Sequence, residues 1–185
     1  MPIEILLLCT GNTCRTPMAQ ALLVADLADR GIEATVRSAG RISQGQPATA
    51  TAVEAMAERG LDVTGHTSSL MTSAGLGSAD LIVGMAREHV REAAVLRPDA
   101  YPRTFTLKEL VRRGDEEGPR AGGEPLEDWL ARLHKRRRPA DHLGESPADD
   151  VADPVGQGLA VYERTADELD QLIGRTVALI WPRPS

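Results

Sequence analysis

Aromatic side chains are scarce in this 185-residue chain, which holds two Trp, two Tyr and one Phe, or 3% of its residues. A slot built to sandwich a flat ring is therefore hard to supply. Cysteine is nearly absent too: Cys9 and Cys14 are the only two, both near the N-terminus, so no framework of bridges is available and a reducing cytoplasm fits best. Net positive charge is missing. A formal charge of −6 and a pI near 5.3 argue against a general nucleic-acid or anionic-membrane binder. The apolar run Ile5 to Leu8 falls far short of the roughly 18 residues of a membrane-spanning helix. No Gly-x4-Gly-Lys-Ser/Thr run is present, which disfavours a nucleoside-triphosphate loop. His66, His89, His134 and His142 show no ligand spacing with the cysteines, so neither a metal nor a cofactor is expected.

What is present is the balance of an ordinary globular chain, with 42% hydrophobic and 26% charged residues. Its length predicts one domain over residues 1–185. Ile3 to Leu8 reads as a strand buried on both faces. Pro17 then suits the first turn of a helix whose apolar positions run to a stop at Gly31. The alternation continues with strands at Glu33 to Arg37, Asp80 to Gly84 and Tyr101 to Phe105. Helices are expected at Ala48 to Arg59, Arg87 to Leu96 and Leu159 to Ile180. Such alternation predicts an α/β fold of three layers, a parallel sheet with helices on both faces, binding ligands at the carboxyl ends of its strands.

Between residues 112 and 149 the composition turns to Gly, Pro and mixed charge around a short helix at Leu126 to Lys135. It reads as an inserted, partly mobile excursion rather than a second domain. Within it Lys135-Arg136-Arg137-Arg138 reads as a solvated helix end, where positive charge offsets the macrodipole.

Chemistry concentrates in Cys9-Thr10-Gly11-Asn12-Thr13-Cys14-Arg15-Thr16-Pro17. A cysteine, five residues and an arginine, set between a strand and a helix, can wrap an anion so that backbone N–H groups point inward and the helix adds its positive end. The field that attracts the anion also favours a thiolate at the first position. The planar fork of Arg15 can grip two oxygens of a phosphoryl group at once. Gly11 permits a crowded backbone, and Asn12 and Thr16 can brace the loop and hydrogen-bond the sulfur.

This segment resembles the phosphate-binding signature of the low-molecular-weight protein-tyrosine phosphatases. The likeness extends through Ser38-Ala39-Gly40, His66, Asp80-Leu81-Ile82, Phe105 to Leu110 and Asp153-Pro154. The resemblance implies a four-stranded parallel sheet, no metal, and a phosphocysteine intermediate formed on Cys9. It also implies that Arg15 and the loop residues Thr10, Gly11, Asn12, Thr13, Cys14 and Thr16 bind the phosphoryl group, with Ser38 and His66 in support. Asp153 would act as general acid. Pro154 singles it out from Asp149 and Asp150 by stiffening the loop, with Asp150 as the alternative. The expected partner is a phosphorylated protein, and the expected state a monomer or weak dimer. Cys14 is either a redox partner of Cys9 or merely structural.

The sequence departs from the tyrosine-specific pattern at Thr13, where an apolar residue is usual, and at Val155, where an aromatic is usual. Thr13 resembles the protein-arginine phosphatases of the same fold. Phosphotyrosine is the broad substrate class, and phosphoarginine stands beside it. Arsenate reduction is disfavoured, because no cysteine follows Cys14 and Pro17 replaces a usual Gln. A non-catalytic phosphate-binding module would need no nucleophile.

Overall fold

The computed structural model describes residues 2–183. Four strands form one fully parallel sheet in the order β2-β1-β3-β4, with β1 at Ile3–Cys9, β2 at Ala34–Gly40, β3 at Leu81–Gly84 and β4 at Thr104–Thr106. Among the described residues seven α-helices surround it: α1 (Arg15–Asp29), α2 (Ala50–Ala57), α3 (Ser73–Ser78), α4 (Arg87–Leu96), α5 (Leu107–Glu117), α6 (Leu126–His134) and α7 (Leu159–Ile180). The chain steps from β1 outward to β2, then returns to place β3 on the other side of β1. That reversal opens a crevice at the carboxyl ends of β1 and β3, the usual ligand position in such sheets.

The unbroken apolar run of β1 follows from burial on both faces. Ile5, Leu7 and Cys9 join the larger core, which takes in residues of α1, α2, α5, α6 and α7. Leu6 and Leu8 face the smaller one, with Leu76 of α3 and Ala93 of α4.

Several boundaries differ from the sequence expectation. The segment Pro98–Arg103 is a 3₁₀ turn, and the strand there is confined to Thr104–Thr106. Pro98 and Pro102 supply no amide protons for a ladder, so the extended stretch begins only after them. Helix α3 is an addition to the expected elements, because its Gly- and Ser-rich sequence has no periodic apolar pattern to announce it. Helix α1 starts at Arg15, which puts Pro17 in its first turn, as expected.

The stretch between residues 112 and 149 is built into the body rather than looped out from it. Trp129, Leu130 and Leu133 of α6 lie in the larger core, and Trp129 Nε1 donates to Gly118 O at 3.0 Å. Glycine at 114 allows α5 and α7 to approach closely, since a Cβ there would sit 2.7 Å from Leu179 Cδ1. The solvated reading of the basic run fails at Arg137, whose side chain is 0% exposed and paired with Glu109. A charge this deep requires compensation, and a carboxylate 28 positions earlier in the chain provides it.

Candidate active site

The loop leaving β1 folds back over the sulfur of Cys9. Asn12 takes a left-handed conformation, φ 52°, the only positive φ of a non-glycine residue among the described residues. Asn tolerates this region better than most residues. The turn brings the Asn12 backbone N–H to Cys9 Sγ at 3.1 Å. Thr16, at the start of α1, approaches the same sulfur with Oγ1 at 3.1 Å. Thr16 Oγ1 already accepts from Asn12 Nδ2 at 2.8 Å, which leaves its own proton free to point at the sulfur. Two donors thus converge on Cys9, an environment matched to an anionic acceptor.

Asn12 is also the brace of the loop. Its Nδ2 donates to Ser38 Oγ at 2.9 Å, its Oδ1 accepts from Ser69 N at 2.8 Å, and its carbonyl lies 2.6 Å from His66 Nε2. Ser38 passes its own proton to Gln20 Oε1 at 2.7 Å. The structure therefore brings both supporting residues, Ser38 and His66, against Asn12 rather than against the sulfur. Gly40 explains the close approach of β2: a Cβ there would lie 2.9 Å from Asn12 N and Thr10 O, both backbone atoms that cannot yield.

Among the described residues, no protein acceptor meets the backbone N–H groups of Gly11, Thr13 and Cys14. Buried Arg15 is the other donor-rich element. Its NH1 donates to Val151 O at 3.0 Å and its NH2 to Asp153 Oδ2 at 2.8 Å, while its Nε is buried without a partner. Buried polar atoms are seldom left so, and unmet donors around one sulfur describe an anion site.

Asp153 arrives on a strap that is firmly tied. Val151 N donates to Met85 O at the end of β3. Asp149 receives Arg87 and Arg112. Asp150 accepts from Arg87 N at 2.7 Å and Ser146 N at 2.7 Å, so it caps the start of α4 and braces the strap rather than facing the sulfur. Asp153 Oδ1 accepts from Val155 N at 3.2 Å, and its side chain is 37% exposed.

The remaining loop residues are placed as follows. Thr13 O accepts from Thr49 N at 2.9 Å, and its hydroxyl would stand 3.2 Å from a Cβ at Gly11, so glycine there leaves it clear. Cys14 lies under Tyr162, with the hydroxyl 3.2 Å from its sulfur. Burial first, and then the contact with Cys14, push Tyr162 up to about 12, so the phenol stays protonated. Both cysteines are free. Trp129 stands against α5, and Tyr162 is buried beneath the loop, so neither forms a wall of the crevice.

Two residues beside the loop, Glu88 and His89, carry no signal of it in the sequence. Thr10 Oγ1 meets Glu88 Oε1 at 3.1 Å, His89 Nε2 at 3.1 Å and Arg15 NH2 at 3.4 Å. Thr10 was expected only as part of the phosphate loop, whereas Glu88 and His89 were not connected with it. The separation of 79 positions between Thr10 and His89 leaves no local signal.

A sulfur met by two donors in an anion cradle, at the switch point of a doubly wound parallel sheet, defines a cysteine-dependent phosphatase. The family model described as low molecular weight phosphotyrosine protein phosphatase matches residues 4–128, a span that holds the Cys9 loop and stops short of Asp153. A protein-arginine-phosphatase of Bacillus subtilis is 33% identical over 172 residues, covering 92% of each chain. A solved YwlE arginine phosphatase mutant with a phosphorylated active-site serine superimposes with a TM-score of 0.71 at 32% identity, covering 94% of this chain and 92% of that one. The low-molecular-weight protein tyrosine phosphatase of T. tengcongensis gives 0.72 at 31% identity, covering 95% and 97%. The chain belongs to the low-molecular-weight protein-tyrosine-phosphatase family. Relatives on this fold include protein-arginine and protein-tyrosine phosphatases, and the phosphorylated serine of that mutant is a phosphoenzyme. No described helix is long and apolar enough to cross a membrane.

Proposed function

We propose that this enzyme removes the phosphoryl group from arginine side chains of proteins, with Cys9 as nucleophile, Arg15 as clamp and Asp153 as acid and base. The observation that carries the catalytic part is the convergence of Asn12 N–H and Thr16 Oγ1 on Cys9, beside an Arg15 whose Nε has no protein partner. In the first step Cys9 Sγ forms a bond to phosphorus while the bond from phosphorus to the leaving atom breaks, and Asp153 gives that atom its proton. In the second, water attacks phosphorus, Asp153 takes a proton back, and the sulfur leaves with the electron pair. The amides of Gly11, Thr13 and Cys14, with Arg15, hold the three equatorial oxygens, which is mainly a task of positioning and charge stabilisation. Thr10 and Thr16 complete the cradle.

The preference for phosphoarginine is supported by the character of the entrance. Thr13 presents a hydroxyl that can orient a guanidinium. The exposed side chain after Asp153-Pro154 is Val155, and each aromatic side chain among the described residues is engaged elsewhere. Relatives bearing the arginine-phosphatase name cover nearly the whole chain. A nucleophilic sulfur must stay reduced, which favours the cytoplasm. A monomer or weak dimer acting on protein substrates, with residues 112–149 as an elaboration of one domain, completes the reading.

Two phosphopeptides matched in sequence, one with phosphoarginine and one with phosphotyrosine, test it. The wild type should show the larger kcat/KM on phosphoarginine, and Thr13→Ile should move the ratio toward phosphotyrosine by roughly tenfold or more. An unchanged ratio would remove Thr13 as selector. Cys9→Ser should lose turnover of both peptides, and equal turnover would remove Cys9 from the mechanism.

A further inference from the structure

We propose that His89 is a positioning residue for Arg15, acting through the hydroxyl of Thr10. The inference rests on Arg15 being the phosphate clamp. It goes beyond that reading by assigning the part of the fold that holds the clamp's outer nitrogen.

The polarity of the cluster is fixed by counting protons. Ala86 N donates to His89 Nδ1 at 3.0 Å, so Nδ1 is an acceptor and the neutral ring carries its proton on Nε2. That Nε2–H lies 3.1 Å from Thr10 Oγ1, with Glu88 Oε1 slightly farther at 3.4 Å. The guanidinium of Arg15 has only donors, so its NH2 also gives to Thr10 Oγ1. Two incoming donors occupy the lone pairs of the hydroxyl, and its own proton has one outlet, Glu88 Oε1 at 3.1 Å. With its orientation thus determined, the hydroxyl serves as a fixed acceptor for Arg15 NH2, opposite Asp153 Oδ2.

Burial keeps the imidazole in its neutral form. His89 is 2% exposed at the start of α4, and desolvation, with Arg15 next and then Arg41 and Arg91, holds its pKa down at about 3. A charged ring would have no proton-free nitrogen for Ala86 N and would set a second cation against Arg15. The approach also depends on Gly84, which ends β3: a Cβ there would lie 3.0 Å from His89 Cβ and 3.2 Å from Ala86 O.

Steady-state kinetics on p-nitrophenyl phosphate, with inorganic phosphate as competitive inhibitor, tests the assignment. His89→Leu cannot donate and should raise both KM and the phosphate inhibition constant by roughly tenfold, the scale of a hydrogen bond to a charged group. His89→Gln keeps a neutral donor and should recover most of both constants, which a loss of packing alone would not allow. Thr10→Val should reproduce the His89→Leu values, and the double variant should be no worse than either single one. Thr10 lies outside the core, so its variant carries the test even if His89→Leu does not fold. Wild-type constants for Thr10→Val, or effects of the two substitutions that multiply, would overturn the proposal. Failure of the clamp reading shows elsewhere, as wild-type phosphate affinity in Arg15→Lys.

Discussion

Two arginines are buried in this protein, and they are treated in opposite ways. Arg137 is saturated. Its Nε donates to Glu109 Oε1 at 2.8 Å, its NH2 to Thr104 O at 2.6 Å and Glu109 Oε2 at 3.1 Å, and its NH1 to Tyr101 O at 3.2 Å. The guanidinium also stacks over the Phe105 ring at 4.0 Å and the Tyr101 ring at 4.7 Å. Arg15 has a backbone carbonyl, a half-exposed carboxylate and a long bond to Thr10, and one nitrogen with nothing at all. The first spends its hydrogen-bonding capacity on holding the segment that follows α6 to α5, through Glu109, and to the chain just before it, through Tyr101 O and Thr104 O. The second keeps capacity in reserve, and that reserve is what an incoming oxyanion would use. Saturation marks Arg137 as a structural cation, whereas the unmet donor of Arg15 is what the proposed clamp requires.

Substitutions that exchange these roles should break the contrast. Arg137→Ala leaves Glu109 buried without its main counter-charge and should cost about 3–5 kcal/mol of unfolding free energy in urea titrations. The catalytic constants of the fraction that remains folded should stay near wild type. Arg15→Lys should do the reverse. It replaces a planar fork with a point charge, so kcat/KM on p-nitrophenyl phosphate should fall by about 10²–10³-fold while stability changes by less than about 1 kcal/mol. If both variants lose stability and rate together, the division of labour between the two sites is wrong.

The smallest effect, and the one that sharpens the comparison most, is the response to acid. The two sites hold titratable groups of opposite kinds. Burial alone would raise Glu109, but hydrogen bonds from His142 and Arg137 and the charge of Arg137 outweigh it and hold the carboxyl below its usual range. Its share of stability is therefore present above the ordinary carboxylate pKa, about 4.3, and is lost as pH falls below that value. His89 acts earlier. The unfolded chain takes up a proton at His89 near 6.5, whereas the buried ring takes none until about 3, so the unfolded state binds more protons in between. Stability should decline from about pH 6.5 downward, and His89→Gln should lessen this first decline, leaving the share of His134, which burial and Arg137 also hold low, and the later decline attributed to Glu109. Identical pH profiles for wild type and His89→Gln would show that the ring titrates alike in both states.

The sequence carried the architecture where periodicity and punctuation are strong. The buried run of β1, the α1 stripe up to Gly31 and the α7 stripe from Leu159 are legible because local pattern and tertiary burial agree. The Cys9 to Thr16 loop is legible for a similar reason: its chemistry lies within eight consecutive residues. What could not be read depends on partners far along the chain. Arg137 looked like one of four solvated charges because Glu109 precedes it by 28 positions, and Asp150 looked like a spare acid because its α4 amide precedes it by 63. Composition also misled at residues 112–149, where a few large side chains, Trp129 first among them, anchor a stretch otherwise rich in Gly, Pro and charge.

The placement of Cys9 has a wider meaning for how this molecule tolerates change. The Cys9 sulfur terminates a rod that is gripped from above and below by separate apolar masses, so it has little freedom to drift relative to either. Small repacking on either side of β1, at Ile5 or Leu6 for instance, is thereby transmitted lengthwise to the tip. The interior and the chemistry share one mechanical part, and wear in the bearing should register as imprecision in the tool.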